Sequence, residues 1–198
     1  MNEVPFFSVI VPTHNAEAYI RKGLDSIRDQ HFKDYELIVV CDSCKDRTAE
    51  IAREYTDKVI EVEYGRDGLA RNAGIDAAAG TWLLFMDDDD WFLHEYVFTM
   101  LSHTLELIDL DILLFDFIWK GKGYATQESR RFIAVWNKVW RREYLGNVRF
   151  NDKQFVSDVD FNEDAFKMSP RVGHVAQPFY YYNYMREGSL SWALESMK

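Results

Sequence analysis

Thr81-Trp82-Leu83-Leu84-Phe85-Met86-Asp87-Asp88-Asp89-Asp90 is an apolar run that stops at four consecutive aspartates. Residues 81–86 have the length and unbroken hydrophobicity of a strand buried on both faces, which is characteristic of parallel sheets covered by helices. Upstream, residues 69–79 are Ala-rich and end at Gly80, which predicts a helix, and Gly65 and Gly68 bracket the turn before it. Further out, residues 6–11, closed by Pro12, and residues 37–40 and 59–62 predict three more buried strands. Between them, Tyr19, Ile20, Leu24 and Ile27 fall on one helical face behind a cap at Asn15, and residues 48–55 make a short second helix. Strands alternating with helices specify an α/β fold with a mostly parallel central sheet and right-handed crossovers. Such sheets bind ligands beyond the carboxyl ends of their strands. Thr13-His14-Asn15, Asp42 and the run from Asp87 to Asp90 all fall there. Asp90 itself reads as the start of a helix.

Beyond residue 91 the pattern loosens. It predicts helices over 96–107, 135–144 and 159–168, strands over 112–118, 172–176 and 179–184, and a loop at 120–123. The length, 198 residues, fits one domain.

Hydrophobic residues make up 47% and charged residues 28%, which supports a packed core. The net charge of −10 disfavours nucleic acid as a partner, and an acidic protein that binds phosphates needs a local cation. No targeting or transmembrane segment is visible, because the most apolar later stretch, residues 107–119, is interrupted by Asp109, Asp111 and Asp116. The expectation is a soluble, cytoplasmic protein, compatible with peripheral membrane association. Cys41 and Cys44 are the two cysteines. Their spacing admits a redox dithiol or half of a zinc site, or simply two small thiols at a strand end.

Adjacent carboxylates repel by roughly 4 kcal/mol per close pair at an effective dielectric near 20. A run of four therefore calls for a cation or a proton, unless it is a solvated acidic turn. Oxygen-only ligands suit Mg²⁺ or Mn²⁺, and alternation along an extended segment lets Asp87 and Asp89 converge.

Three blocks together resemble the family 2 glycosyltransferases: Ser8-Val9-Ile10-Val11-Pro12-Thr13-His14-Asn15, Val39-Val40-Cys41-Asp42-Ser43-Cys44-Lys45-Asp46-Arg47-Thr48, and Ala70-Arg71-Asn72-Ala73-Gly74 followed by Asp87 to Trp91. Val135-Trp136-Asn137-Lys138-Val139-Trp140-Arg141-Arg142, Ser157-Asp158-Val159-Asp160-Phe161 and Pro178-Phe179-Tyr180-Tyr181-Tyr182 through Arg186-Glu187-Gly188-Ser189 resemble the family's later segments. The second block departs from the family at Cys41, Ser43 and Cys44, and Ser157 stands where a Glu is usual.

The resemblance implies a GT-A fold and a metal-dependent, inverting transfer from a nucleotide-sugar, commonly UDP-linked, to a glycan, lipid-linked or cell-wall acceptor. It implies that Thr13, His14, Asn15 and Glu17 line the nucleotide and that Asp42 bonds the base. Arg71 would sit near the diphosphate or the sugar, with Asp87 and Asp88 at ribose or metal and Asp89 as the main ligand of Mn²⁺ or Mg²⁺; residues 1–91 would form the donor half and 92–198 the half for the acceptor and the catalytic base. Asp158 would be the general base, with Asp160, Glu163 and Asp164 as rivals, and Arg186 and Ser189 would close over the phosphates. Lys138 and the Trp136/Trp140 pair read as helical packing, and His174 as structural. The competing readings are a non-catalytic sugar-nucleotide-binding protein, a nucleotidyltransferase, which would carry a Gly-rich basic loop after its first strand, and a Cys41/Cys44 redox protein.

Overall fold

The structure, a computed structural model, describes residues 4–125, 134–153, 157–184 and 186. In chain order the first half comprises β1 (Phe7–Thr13), α1 (Ile20–Arg28), β2 (Tyr35–Asp42), α2 (Thr48–Arg53), β3 (Val59–Val62), α3 (Asp67–Ala77) and β4 (Trp82–Phe85). The second half adds β5 (Trp91–Phe92), α4 (Val97–Leu107), β6 (Ile112–Trp119), β7 (Gly123–Ala125), β8 (Lys138–Arg141), α5 (Arg142–Leu145), α6 (Ser157–Lys167) and β9 (Val172–Tyr182). All described strands join one sheet in the order β3-β2-β1-β4-β8-β6-β9-β5, with β7 paired to β6. The strands β1 to β4 are mutually parallel, and β6 and β9 run parallel to each other. Antiparallel β8 joins the two groups by pairing with β4 on one side and β6 on the other.

Strand alternation divides the core into two layers. Phe7, Val9, Val11, Leu37, Val39 and Leu84 face a cluster completed by Ile20, Leu24 and Ile27 of α1 and Phe98 and Leu101 of α4. Ile10, Ile38, Val40, Leu83 and Phe85 face the other cluster, built with Ala70 and Ile75 of α3 and Phe161 and Ala165 of α6. Each α1 side chain named is fully buried, which contributes about 2 kcal/mol apiece.

α3 lies unusually close to the sheet. A Cβ on Gly74 would stand 2.3 Å from Ile10 Cγ2, so the helix that carries Arg71 is set against β1 by the missing side chain.

Four expectations need correction. Residues 135–144 are not helical: they form a turn, then β8, then the short α5. Trp136 and Trp140 therefore sit in opposite core layers rather than on one helix face. Asn15 does not cap α1; it has a positive φ of 49° and its Oδ1 accepts the Lys45 amide at 2.7 Å. Instead, the Ala16 carbonyl accepts the amides of Tyr19 and Ile20 at the helix start. Asp90 immediately precedes β5 and starts no helix. The two expected strands over 172–184 are one strand, β9, whose pairing with β6 shifts register around Asp116.

Candidate functional site

β1, β2 and β4 deliver Thr13, Asp42 and Asp87 to their carboxyl ends, where a cavity of about 410 Å³ opens. Thr13, His14, Asp42, Arg71, Asp87, Asp88, Asp89 and Arg186 all line it. Asn15 and Glu17 do not. Like Asn15, Glu17 pins the neighbouring loop, its Oε2 accepting the Arg47 amide at 2.9 Å. Ser189 lies outside the described residues.

Asp42 is fixed by backbone. Its Oδ1 accepts the amides of Tyr64 and Gly65 at 2.8 and 2.9 Å and the Ser43 hydroxyl at 2.9 Å, while Oδ2 accepts the Arg66 amide at 2.9 Å. Burial raises its pKa, but these donors outweigh that and hold the carboxyl below the usual range. The second oxygen accepts one of these bonds and can accept another.

The aspartate run divides its work. Asp87 Oδ1 accepts from Arg71 Nη2 at 2.8 Å, and its amide donates to the Tyr180 hydroxyl at 3.1 Å. Asp88 Oδ2 accepts the Thr13 hydroxyl at 2.9 Å and the His14 amide at 3.2 Å. Asp89 Oδ2 accepts from Arg186 Nε at 2.6 Å, and the Arg186 guanidinium lies 4.0 Å from the centre of the Tyr19 ring. Asp90 is fully buried and turned away: its Oδ1 accepts the Asn183 amide at 2.7 Å. Burial pushes Asp87 up to about 6, against Arg71 and with the help of Asp158 and Asp89. Burial, then Asp89, pushes Asp88 up to about 7. Asp90 also lies well above the usual range through burial.

Arg71 is 4% exposed. Its Nη1 donates to Asp67 at 2.6 Å and lies 3.4 Å from Asp158 Oδ1, while Nη2 serves Asp87. Burial opposes the Arg71 charge, but the three carboxylates overcome it and hold the guanidinium ionised. Its Nε is buried without a hydrogen-bond partner among the described residues.

Asp158, in the first turn of α6, stands behind Arg71 rather than in the cavity lining. Burial raises its pKa, with Arg71 pulling the other way. Among its rivals, Asp160 is tied to Lys153 at 2.5 Å and Asp164 to Lys167 at 2.9 Å, both at the surface. Lys138 is not simple packing. Its Nζ is fully buried, donates to the Ala134 carbonyl at 2.5 Å and to Asn137 Oδ1 at 3.0 Å, and is lowered to about 7 by burial, with Asp158 opposing.

Among the described residues no three His, Cys, Asp or Glu side chains surround one point. Mg²⁺ usually takes one or two carboxylates and completes its shell with substrate phosphates and water. Cavity-facing carboxylates whose charge is opposed by burial and by one another suit that role, so the donor set fits a divalent cation.

Sequence reading missed Tyr19, Gly65, Arg66, Asp67, Tyr182 and Asn183 among the lining residues. Gly65, with φ 61°, carried a signal as a turn glycine. Tyr182 and Asn183 carried none, because the sheet brings them in from β9.

A family model described as Glycosyl transferase family 2 matches residues 8–160. Glycosyltransferase GlyA of Streptococcus pneumoniae serotype 4 is 30% identical over 93% of the chain and 31% of its own length. The poly(ribitol-phosphate) beta-N-acetylglucosaminyltransferase TarS of Staphylococcus aureus is 30% identical over 92% of the chain and 36% of its own. The crystal structure of TarS 1–349 in complex with UDP-GlcNAc superposes with a TM-score of 0.84 at 26% identity, over 94% of this chain and 60% of that one. A mannosyltransferase from Pyrobaculum calidifontis in complex with GDP-Man and Mn²⁺ shares the fold at 16% identity, with a TM-score of 0.76 over 98% of this chain and 61% of that one. The first curated relatives are longer: the chain spans 31% to 61% of their length.

Proposed function

The chain belongs to glycosyltransferase family 2 and has the GT-A fold, and from that premise we propose that it transfers a sugar, with inversion, from a UDP-sugar to an acceptor hydroxyl with the help of Mn²⁺ or Mg²⁺. The observation that carries the reading is the cavity at the ends of β1, β2 and β4, where Asp42, Arg71, Asp87, Asp88, Asp89 and Arg186 converge. The UDP-GlcNAc held by TarS is the basis for the choice of donor.

Asp42, with one lone pair still free, accepts the N3–H of uracil. Thr13 and His14 flank the nucleoside, and Asp88, which both of them hold, faces the ribose. Asp89 and Asp87 would hold the cation, which would supply positive charge to offset that developing on the departing diphosphate. Arg186 leaves Asp89 for the phosphates. The acceptor oxygen forms a bond to the anomeric carbon as the bond to the diphosphate oxygen breaks, and the acceptor's proton goes to a base, for which Asp158, against Arg71 behind the cavity lining, is the candidate. Arg71 contacts both Asp158 and Asp87 and so fixes the base relative to the leaving group. The acceptor class is a glycan, a lipid-linked sugar or a cell-wall polymer. No described helix is long and apolar enough to cross a membrane.

Calorimetry with UDP tests the donor site: binding is expected with Mn²⁺ or Mg²⁺, and equal affinity in chelator would remove the metal from the mechanism. Nucleotide release from a panel of sugar nucleotides identifies the donor. Asp158→Asn is expected to keep donor binding and to lose about 10²- to 10⁴-fold in turnover. Full turnover would place the base elsewhere, and absence of turnover in the parent protein would favour a binding-only role.

A further inference from the structure

Cys41 and Cys44 have no part in the transfer just described. Cys41 is 1% exposed on β2, and its strand partner on β1 is Thr13. The chain turns back at Ser43, with φ 55°, and brings Cys44 against the same place: its thiol donates to the Thr13 carbonyl at 3.6 Å. Both side chains pack on one apolar cluster, and Cys44 keeps partial exposure. Two cysteines three residues apart therefore converge on Thr13 and on one apolar cluster, one partly exposed and one enclosed.

A reachable thiol beside a buried one suits attack on an external disulfide followed by intramolecular resolution. Ionisation follows the same order. The neighbouring Cys41 thiol lowers Cys44 to about 7 against burial, with the Asn15 amide and His14 assisting and Asp46 opposing. The neighbouring Cys44, then burial, then the charge of Glu61 push Cys41 far up, with Arg53 opposing.

The pair encloses Asp42 and touches Thr13. Asp42 anchors the Tyr64–Arg66 amides, and Thr13 holds Asp88. Joining the sulfurs would abolish the bond from Cys44 to Thr13 and pull on the backbone that carries Asp42.

We propose that Cys41 and Cys44 form a dithiol modification site, oxidised by a low-molecular-weight disulfide to an intrachain disulfide that weakens nucleotide binding in the adjacent cavity. The effect on binding rests on the donor-site reading above. The Cys44 thiolate attacks one sulfur of the oxidant and expels a thiolate, which takes up the proton lost by Cys44. The Cys41 thiol then loses its proton and attacks Cys44 Sγ, releasing the second oxidant-derived thiol. One external disulfide is reduced to two thiols, and two protein thiols are oxidised to one disulfide.

The test treats reduced protein with glutathione disulfide and reads intact mass, free thiols and calorimetric UDP binding with Mn²⁺. The expected products are loss of both thiols without a retained adduct in the parent protein, a stable single adduct in Cys41→Ala, and no reaction in Cys44→Ala. UDP affinity should fall by about tenfold on oxidation, as loss of one or two anchoring hydrogen bonds implies. It should return with dithiothreitol and stay constant in Cys44→Ala. Two free thiols after treatment, or a disulfide that leaves affinity unchanged, would overturn the inference. Failure of the reduced protein to bind UDP would instead overturn the donor reading, while mass and thiol counts still decide the modification.

Discussion

Arg71 faces Asp67, Asp87 and Asp158 and is itself almost fully enclosed. Removing one member of a buried charge group leaves the others without compensation. Arg71→Met should therefore lower stability at neutral pH by about 3 kcal/mol in urea unfolding, with a smaller loss in acid, where the carboxylates protonate. Asp88 gives a second handle. Its folded pKa of about 7, and that of Asp87 at about 6, lie above the usual carboxylate range. The folded state thus keeps protons that the unfolded chain releases. The stability these groups contribute is complete below the unfolded value and is lost as pH rises through their folded values. Asp42 and Glu36, held below the usual range, titrate outside this window. In metal-free buffer the melting temperature should fall between about pH 5 and about pH 7, and Asp88→Asn should flatten the slope. A melting temperature that rises across this interval would count against burial as the cause.

The contact between α3 and β1 fixes where Arg71 and Asp67 stand. Ile10 is fully buried in the sheet and cannot move aside for a Cβ on Gly74. Gly74→Ala should cost about 2 kcal/mol of stability through overpacking, read from the urea midpoint. Because the displaced helix carries Arg71, it should also weaken nucleotide binding, whereas a stability loss with unchanged affinity would uncouple the helix from the site. This contact was legible only as a glycine in an Ala-rich run. The first four strands were legible, because buried parallel strands are continuous apolar runs with polar ends. β8 was not: Trp136 and Trp140, four apart, satisfy a helical spacing, while sheet pairing with β4 and β6 imposes an extended chain. The site follows the same division. Residues immediately after strands, from Thr13 to Asp89, were readable from position. Asn15 and Glu17 sit at the right place in sequence but are committed to loop bonds, and Asn183 reaches the cavity through its bond to Asp90, which no local pattern announces.

The cavity draws on residues from Pro12 to Arg186, so the whole acidic molecule sets its potential. With a net charge of −10, the protein attracts a divalent cation and repels a free nucleotide diphosphate. Salt screens both effects, since the Debye length shrinks from about 10 Å at 0.1 M to about 3 Å at 1 M. The two affinities should therefore have salt slopes of opposite sign. Mn²⁺ binding without nucleotide should weaken as salt rises, and any residual UDP binding in chelator should strengthen. Asp89→Asn removes one of the carboxylates that draw the cation and should lower Mn²⁺ affinity most at low salt. It should also abolish the dependence of UDP binding on metal, while relieving the repulsion of free UDP. Calorimetric titrations at two ionic strengths measure all of these. Slopes of the same sign for cation and nucleotide would mean that Arg66, Arg71 and Arg186, rather than the surrounding acidic field, set the potential in the cavity, and that the nucleotide needs no cation to enter.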